Sequence, residues 1–240
     1  MIVDAHHHFW ETTALHPALD RPFGPDDLPP VADATVLVQV DEDNARLAAY
    51  AHVPRVAGIV AWLGGDLDGI PKLVGVRRLV GREPLDWLDR GLFAELAARG
   101  LAWDIVVVTD EQARAVCALA DDVPSLRIVV DHLARPPVEG GPLEPWAARV
   151  RALAERPNIA MKASIGIDAL TAWDAWGDVS RYVALALECF GPRRLMLASN
   201  WPVVTLRASY ERAFNDVAAA CGHDPEVLGG TAVRWYGLQT

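Results

Sequence analysis

Short runs of consecutive apolar residues alternate along this chain with longer segments in which apolar residues recur at helical spacing. The short runs are rich in β-branched residues, which is typical of strands buried on both faces of a parallel sheet. The longer segments are typical of helices that bury one face. The pattern therefore predicts a chain of alternating strands and helices.

Eight apolar runs predict strands, at a spacing of about thirty residues, which is typical of a (β/α)8 TIM barrel in the α/β class. The predicted strands are Met1–Val3, Thr35–Gln39, Val56–Trp62, Val74–Val80, Leu101–Val108, Arg127–Asp131, Asn158–Lys162 and Arg194–Ala198. Helices are predicted over residues 43–50, 92–99, 110–120, 145–155 and 179–190, with two more after residue 202, and Asn44 or Asp43 is expected to cap the first of them. No linker or change in composition divides the chain, so residues 1–240 are predicted to form one domain.

The first strand ends in a cluster of histidines. Met1–Val3 is followed by Asp4 and then by His6, His7 and His8. Because successive side chains of an extended chain face opposite ways, His6 and His8 share one face. Two imidazoles on one face suit metal ligation or proton transfer.

A proline-rich segment, residues 11–30, separates this cluster from the second strand. Proline at this density prevents regular structure. Because long loops in compact domains are usually functional, the segment is predicted to lie over the mouth of a site.

Composition excludes several classes of protein. The net charge of −10 and the absence of a basic cluster argue against a nucleic-acid partner. The three cysteines form no CxxC pair and indicate neither disulfides nor a thiolate zinc site. No apolar run has transmembrane length, so no membrane association is expected and the cytoplasm is the expected compartment. The oligomeric state is left open, although an exposed apolar helix face would allow a homodimer.

Polar residues stand at the ends of the predicted strands, where a barrel of this kind carries its chemistry. They are His6 and His8 after the first strand, Gln39 after the second, Arg77 or Arg78 in the fourth, His132 after the sixth, Lys162 after the seventh and Asn200 after the eighth. At most one of the two adjacent arginines points into the interior, because neighbours on a strand face opposite sides.

Several candidate residues have a structural alternative to a role in binding. Asp104 is the only acid in its strand, and it would pair with an arginine, position a ligand or lie at the exposed strand end. Lys162 suits substrate contact or a structural role equally. Trp10 and Trp201 flank the histidines and Asn200, and they suit either the wall of an apolar pocket or the core.

Together, these segments resemble the successive motifs of the amidohydrolase-2 family, in its sugar-lactonase-like branch, which includes L-fucono- and L-rhamnono-lactonases and relatives of the dicarboxylate-pyrone lactonases. The resemblance covers nearly the whole chain, and its first and eighth strand motifs are the specific ones. The matching segments are Asp4–Trp10, Leu37–Gln39, Gly75–Leu79, Val130–Pro137, Met161–Ser164, Ala198–Val203 and Gly230–Gly237.

The resemblance implies a barrel of the amidohydrolase type that opens a small sugar-derived or carboxylated lactone by water attack. It implies that His6, His8 and His132 either bind one divalent metal, with zinc the expected ion, or bind the substrate carbonyl directly without metal. Substrate oxygens would be anchored by Arg77 or Arg78 and by Lys162.

The chain departs from the family at Asn200, which stands where the resemblance implies the aspartate that takes a proton from water. An amide cannot accept a proton near neutral pH, whereas a carboxylate can. Asn200 would then orient water or substrate. A natural site with another base, a binding protein of slow turnover and an engineered Asp-to-Asn change all remain open here. The alternative functions are a metal-dependent decarboxylase of the same family and a weakly active or non-catalytic binding barrel.

Overall fold

Eight parallel strands form a barrel in the structure, a computed structural model that describes residues 1–41 and 43–239. The strands are β1 (Val3–His7), β2 (Ala34–Val38), β3 (Val56–Trp62), β4 (Leu73–Arg77), β5 (Ala102–Val106), β6 (Ile128–Asp131), β7 (Ile159–Ala163) and β8 (Leu195–Leu197). Each strand pairs in parallel with the next one along the chain. The predicted TIM barrel is thereby confirmed.

The barrel is closed by the residues that follow β8. Asn200 donates its backbone N–H to the carbonyl of His6 at 2.9 Å, and His8 donates to the carbonyl of Trp201 at 2.8 Å. Backbone hydrogen bonds of this kind fix the ends of β1 and β8 against each other. The seam of the barrel therefore joins the two motifs that carry most of the candidate chemistry.

The first strand is longer than predicted and irregular. It runs from Val3 to His7, and its register against β2 shifts between Asp4 and His7. Such a bulge inserts an extra residue and re-aims the side chains that follow it. Here Ala5 lies in the apolar interior of the barrel, while His6 also turns inward to meet acidic groups there.

The described part of the chain contains eight α-helices, which lie between and after the strands. They are α1 (Leu47–Tyr50), α2 (Arg90–Ala98), α3 (Asp110–Asp122), α4 (Trp146–Ala154), α5 (Ile167–Ala172), α6 (Ser180–Phe190), α7 (Tyr210–Ala220) and α8 (Thr231–Tyr236). The predicted helices are all present, and α5 was missed because six residues carry too little periodicity to be recognised.

Helix α1 begins later than predicted because Asn44 does not cap it. The amide of Asn44 instead accepts from the N–H of Trp62 at 2.8 Å and donates to the carbonyls of Trp62 and Asp66. The side chain thus ties the loop after β2 to the end of β3. Arg46 occupies the capping position and provides no side-chain hydrogen bond.

Apolar side chains form one layer between the sheet and the helices and a second cluster inside the barrel. The inner cluster combines small and β-branched residues of the strands with Tyr236 and Leu238 from the C-terminal segment. Because Tyr236 comes from α8, this segment fills the interior from the end at which the strands begin. The opposite end, where the strands finish, is left to polar groups.

Residues 11–30 contain only two short 3₁₀ turns, Pro17–Leu19 and Pro25–Asp27. The segment is held down by Trp10, whose backbone pairs with that of Phe23 and whose indole donates to the carbonyls of Leu19 and Arg21. Among the described residues, no helix combines the length and apolar character needed to cross a bilayer. The single domain, the compartment and the partners stay predictions.

Candidate functional site

His6 of β1 and His8, which directly follows β1, meet at the end of the barrel where the strands finish. The Nε2 atoms of His6 and His8 lie 3.2 Å apart, and both side chains are buried. His7 points the other way and bonds through Nε2 to Thr35 Oγ1 at 2.9 Å. Burial lowers the pKa of His7 to about 3 and the pKa values of His6 and His8 well below the ordinary value. All three imidazoles are therefore neutral at pH 7.

The hydrogen bonds of His8 and Asn200 fix which of their atoms face each other. His8 Nδ1 lies 2.7 Å from the carbonyl of Val38, and because a carbonyl only accepts, Nδ1 carries the proton. Asn200 Nδ2 donates to the carbonyl of Ile165 at 2.8 Å, so Oδ1 points towards His8. His8 Nε2 and Asn200 Oδ1 are consequently two electron-pair donors only 3.1 Å apart.

A divalent cation fits this donor set. Two acceptors in contact, with no proton between them, are satisfied when a cation binds both. Zinc takes nitrogen and oxygen ligands at about 2.0–2.2 Å, which separates neighbouring ligand atoms by roughly 3.3 Å. The measured separations of 3.2 Å between the histidines and 3.1 Å to Asn200 agree with that value.

Lys162 and Asp131 decide which nitrogen of His6 carries the proton. Lys162 Nζ lies 3.1 Å from His6 Nδ1, and Asp131 Oδ1 lies 3.3 Å from the same atom. If Lys162 donates to Nδ1, Nε2 keeps the proton and bonds to His8. If Nδ1 donates to Asp131, Nε2 is free to bind a cation. The same residues thus serve a metal-free and a metal-bound site.

His132 completes the site from β6. Its ring centroid lies 4.6 Å from that of His6, and its Nδ1 bonds to Ser164 Oγ at 2.8 Å. Burial lowers the pKa of His132 to about 4. A neutral imidazole with one nitrogen held by Ser164 leaves the other nitrogen for a ligand or a proton.

The backbone of the site lies in the left-handed region at both His132 and Asn200, with φ of 55° and 58°. From His132 to Arg135 four successive residues share this conformation. Neighbours hold the turn in place, since Trp146 Nε1 donates to the carbonyl of Leu133 at 2.7 Å and Arg149 to that of Ala134 at 3.0 Å. Backbone strain of this kind persists where the surrounding structure enforces it, often at functional sites.

Gly166 gives His132 room. A Cβ at position 166 would lie 3.1 Å from His132 Cδ2 and 3.3 Å from its Cβ. We expect Gly166→Ala to displace the imidazole by a few tenths of an ångström and lower kcat about tenfold, because small displacements of reacting groups are costly. Kinetics on any accepted substrate tests this, with Gly177→Ala as the matched control, because a Cβ there would lie 3.1 Å from Trp173 Cζ2 and Gly177 does not line the cavity. Full activity in Gly166→Ala would show that the contact does not hold the ring in place.

A buried ionic cluster lies beneath the histidines. Lys162 Nζ contacts Asp104 Oδ2 at 2.5 Å and Asp131 Oδ1 at 3.1 Å, and the Tyr236 hydroxyl donates to Asp104 at 2.8 Å. Burial raises the pKa of Asp104 to about 6. Burial would also raise the pKa of Asp131, but Lys162 and His6 hold it well below its ordinary value. A set of paired, buried charges therefore lies directly beneath the histidines of the site.

One cavity opens onto these groups, with a volume of about 680 Å³ including its open mouth. Its polar lining consists of His8, Arg77, Arg82, His132, Asp168 and Asn200. The remaining side chains of the wall are aliphatic, and Leu15 brings residues 11–30 to the mouth.

The structure brings only some of the predicted site residues to this cavity. His8, Arg77, His132 and Asn200 line it, and His6 lies directly beneath. The others lie elsewhere: Asp104 and Lys162 in the buried cluster, Trp10 and Gln39 around a second cavity, Trp201 against Phe9 and Phe23, and Arg78 outside the barrel.

The two adjacent arginines, Arg77 and Arg78, differ in burial and in position. Arg77 is buried with 2% of its surface exposed, whereas the side chain of Arg78 is 40% exposed. Arg78 lies 3.4 Å from Glu83 and over the ring of Trp87. Of the two alternatives left by the sequence, only Arg77 reaches the cavity.

Sequence patterns assign no role to five residues of the site: Arg82, Asp131, Ser164, Gly166 and Asp168. Asp131 directly precedes His132, and Ser164 follows Lys162 by two positions, so both were within reach of a search at strand ends. Gly166 carries no chemistry that a sequence pattern would reveal. Its importance comes only from the approach of His132 across the barrel.

Comparison with known proteins gives a consistent result. The model of a protein family described as Amidohydrolase matches residues 3–238. An L-fucono-1,5-lactonase from Burkholderia ambifaria is 31% identical over 87% of this chain and 82% of its own length. An L-fucono-1,5-lactonase from Burkholderia multivorans is 29% identical over 98% of this chain and 96% of its own length.

A solved structure is similar throughout. An amidohydrolase from Burkholderia multivorans superposes with a TM-score of 0.85 and 26% identity, and the match covers 100% of both chains. That crystal contains bound HEPES. A second crystal form, with a TM-score of 0.83, contains bound zinc.

Proposed function

This chain belongs to the amidohydrolase family, and from this premise we propose that it hydrolyses a small lactone at the mouth of its barrel. The observation that carries the proposal is the meeting of His8 Nε2, Asn200 Oδ1 and His132 at one cavity. The activity for which the two L-fucono-1,5-lactonases are named supports it. No further candidate function has an observation in its favour.

Asn200 is proposed to position the attacking water. Its Nδ2 is held by the carbonyl of Ile165, which leaves Oδ1 as an acceptor towards the cavity. A water that donates one hydrogen to Oδ1 has its lone pair free for the lactone carbonyl carbon. Asn200 thus orients the nucleophile without removing its proton.

His132 is proposed to take that proton. In the tautomer that donates Nδ1–H to Ser164 Oγ, the other ring nitrogen has a free lone pair. The pKa of His132, lowered by burial to about 4, makes it as strong a base as an ordinary aspartate of pKa about 3.9. His132 is therefore proposed to take over the role of the missing carboxylate from the end of β6, while Asn200 occupies the position of that carboxylate.

His132 also returns the proton to the leaving group. Water adds to the carbonyl carbon as its proton moves to His132, and the ring C–O bond then breaks. The imidazolium returns the proton to the departing alkoxide, which yields a hydroxy acid. Ionisation of that acid releases one proton, which a pH indicator detects.

His6, His8 and Asn200 are proposed to hold a divalent cation, with His132 beside them. When bound, such an ion would polarise the lactone carbonyl and favour ionisation of water. The proton transfer assigned to His132 and the positioning of water assigned to Asn200 do not depend on it. The zinc in the solved relative supports this part of the proposal.

We expect the chain to hydrolyse at least one member of a panel of aldonolactones and pyrone-type lactones. Asn200→Asp should raise kcat about tenfold, because a carboxylate that holds the water can also accept its proton. The nearby carbonyl of Ile165, which now accepts from the amide, would oppose ionisation and raise the pKa of the new carboxyl group towards neutrality. A pH-indicator assay measures both proteins, with metal content determined for each.

Other outcomes would identify the rival functions. Release of carbon dioxide from an aromatic or muconate-type acid, without lactone opening, would favour a decarboxylase. Tight binding of ligands that remain unchanged after long incubation would favour a binding barrel. If neither protein hydrolyses any of the lactones, the proposed lactone hydrolysis is wrong.

A further inference from the structure

Asp4 is a buried carboxylate with four hydrogen-bond donors around it. It is fully buried, at 0% exposure. Its Oδ1 accepts from the backbone N–H of His6 at 3.1 Å and from that of Ser199 at 2.9 Å. Its Oδ2 accepts from the hydroxyls of Ser199 at 2.6 Å and Tyr210 at 3.0 Å. Burying a carboxylate is costly unless such bonds replace its water, so these four donors hold it in one position.

The four bonds join three parts of the chain. Ser199 lies 195 positions after Asp4, and Tyr210 lies 206 positions after it. Asp4 belongs to β1, Ser199 to the turn that follows β8, and Tyr210 is the first residue of α7. The strand carries His6 and the turn carries Asn200. One carboxylate therefore links the two segments that provide much of the site.

Asp4 itself does not reach the cavity. Val3 and Ala5, on either side of it, belong to the apolar cluster inside the barrel, so Asp4 faces outward to the hydroxyl of Tyr210. It is not among the residues that line the cavity. Any effect of Asp4 on the reaction must therefore act through the residues that it holds.

The hydroxyl of Ser199 extends this constraint to Asn200. Ser199 Oγ donates to Asp4 and accepts from the N–H of Trp201 at 2.9 Å. The residues on both sides of Asn200 are thus held by one hydroxyl. Asn200 has a φ of 58°, and its own N–H donates to the carbonyl of His6 at 2.9 Å. A left-handed residue of this kind keeps its conformation only where its surroundings enforce it.

The other oxygen of Asp4 acts on the bulge of β1. The register of β1 against β2 shifts between Asp4 and His7. A bulge disrupts the regular ladder of backbone hydrogen bonds. Asp4 Oδ1 provides an acceptor for the N–H of His6 within this irregular segment, and the same oxygen accepts from Ser199. The backbone at His6 and the turn after β8 are thereby fixed to one atom.

Building on the proposed lactone hydrolysis, we propose that Asp4 is a positioning residue, which holds Asn200 in place against the histidines of β1 through Ser199. The separation that it maintains is the 3.1 Å between Asn200 Oδ1 and His8 Nε2. Asn200 orients the attacking water in the proposed reaction. A displaced Asn200 lowers kcat more than it changes KM, because the geometry of the reacting groups is altered and not the binding of the substrate.

The test compares Asp4→Asn, Ser199→Ala and the double variant in lactone hydrolysis. Asparagine keeps the size of Asp4 but has a single acceptor oxygen, so its amide faces groups that donate to the carboxylate. We expect each single variant to lower kcat about tenfold with little change in KM. The double variant should lose no more than the weaker of the single variants, because both substitutions break one connection.

Asp33→Asn is the matched control. Asp33 also bonds to the backbone beside β1, since its Oδ2 accepts from the N–H of Ile2 at 2.7 Å. It is exposed and lies at the beginning of the strand, away from the site. Asp33→Asn should leave kcat and KM unchanged.

Urea denaturation of each variant separates positioning from a purely structural role. If Asp4→Asn and Ser199→Ala are less stable but keep the full kcat, the inference is wrong. Additive losses of kcat in the double variant would also overturn it, because the two residues would then act separately. If Asp4→Asn does not fold, Tyr210→Phe decides, since it removes one donor and leaves the charge. A lower kcat with an unchanged KM supports the inference, and a full kcat overturns it.

Crystal structures of the unaltered chain and of Ser199→Ala keep this inference distinct from the proposed function. If no lactone is hydrolysed, the proposed function is wrong, and the structures alone decide about Asp4. We expect the distance between Asn200 Oδ1 and His8 Nε2 to increase by about half an ångström or more in the variant, while the barrel is retained. An unchanged distance would show that the connection through Ser199 does not hold Asn200 in place.

Discussion

Replacement of His132 by glutamine is expected to lower kcat for lactone hydrolysis by about 10²- to 10⁴-fold, the usual contribution of a general base. Glutamine is close to histidine in size and still reaches Ser164 Oγ, which lies 2.8 Å from His132 Nδ1. It cannot accept a proton near neutral pH. Steady-state kinetics on the preferred lactone measures the loss, and circular dichroism checks that the barrel is retained.

The pH profile of the unaltered protein is the control for this assignment. Because burial lowers the pKa of His132 to about 4, the base is neutral and active above that pH. The rate should be level through neutral pH and fall as the pH drops through about 4. If His132→Gln loses most of the rate and also no longer shows the fall in rate at acidic pH, the assignment of His132 as the base is supported. A variant with the full rate and an unchanged acid limb would place the base elsewhere.

Ser164→Ala is expected to lower kcat less than His132→Gln does. It removes the hydrogen bond that orients His132 but leaves the imidazole in place. We expect kcat to fall about tenfold while KM changes little, since a positioning residue acts on the reacting geometry rather than on binding. An equal loss in Ser164→Ala and His132→Gln would mean that Ser164 itself touches the reacting atoms.

Lys162→Met is expected to lower the free energy of unfolding by about 3–5 kcal/mol, the cost of removing one partner from a buried ion pair. Lys162 Nζ lies between two fully buried carboxylates, 2.5 Å from Asp104 and 3.1 Å from Asp131. Methionine fills a similar volume but leaves both acids without their cation. Urea denaturation of the variant and of the unaltered chain measures the difference.

The double variant Lys162→Met, Asp104→Asn separates charge from packing. Asparagine removes one of the two stranded charges and still accepts from the Tyr236 hydroxyl. We expect the double variant to be more stable than Lys162→Met alone, because the two residues are in direct contact and their effects are coupled. Additive losses would show that Lys162 stabilises the barrel through packing and not through its charge.

Much of the fold followed from the apolar runs. Each run predicted a strand independently of the others, and the eight runs in sequence predicted the barrel that the structure contains. The predictions failed where a side chain bonds to a residue that is far away in the sequence. Asn44 was expected to cap α1 and instead bonds to Trp62 on β3, a contact that no local pattern contains.

For the site, too, local patterns predicted the positions along the chain but not the contacts between distant residues. The position of His6, His8, His132 and Asn200 at strand ends was sufficient to place them at one end of the barrel, because parallel strands of a barrel finish at the same rim. The same reasoning left Arg77 and Arg78 as alternatives, since period two says only that they face opposite ways. The register of β4 decided that Arg77 points inward.

The sequence by itself determined the barrel, the rim that carries the chemistry and the residue types present there, because these depend on periodicity and order along the chain. Only the tertiary contacts place Lys162 beneath the histidines, turn Asn200 Oδ1 towards His8 Nε2 and leave Arg77 Nε buried with no hydrogen-bond partner among the described residues. These facts join residues up to 192 positions apart. They depend on the bulge in β1, on strand register and on barrel closure, and a contact made across the barrel leaves no repeat in the sequence.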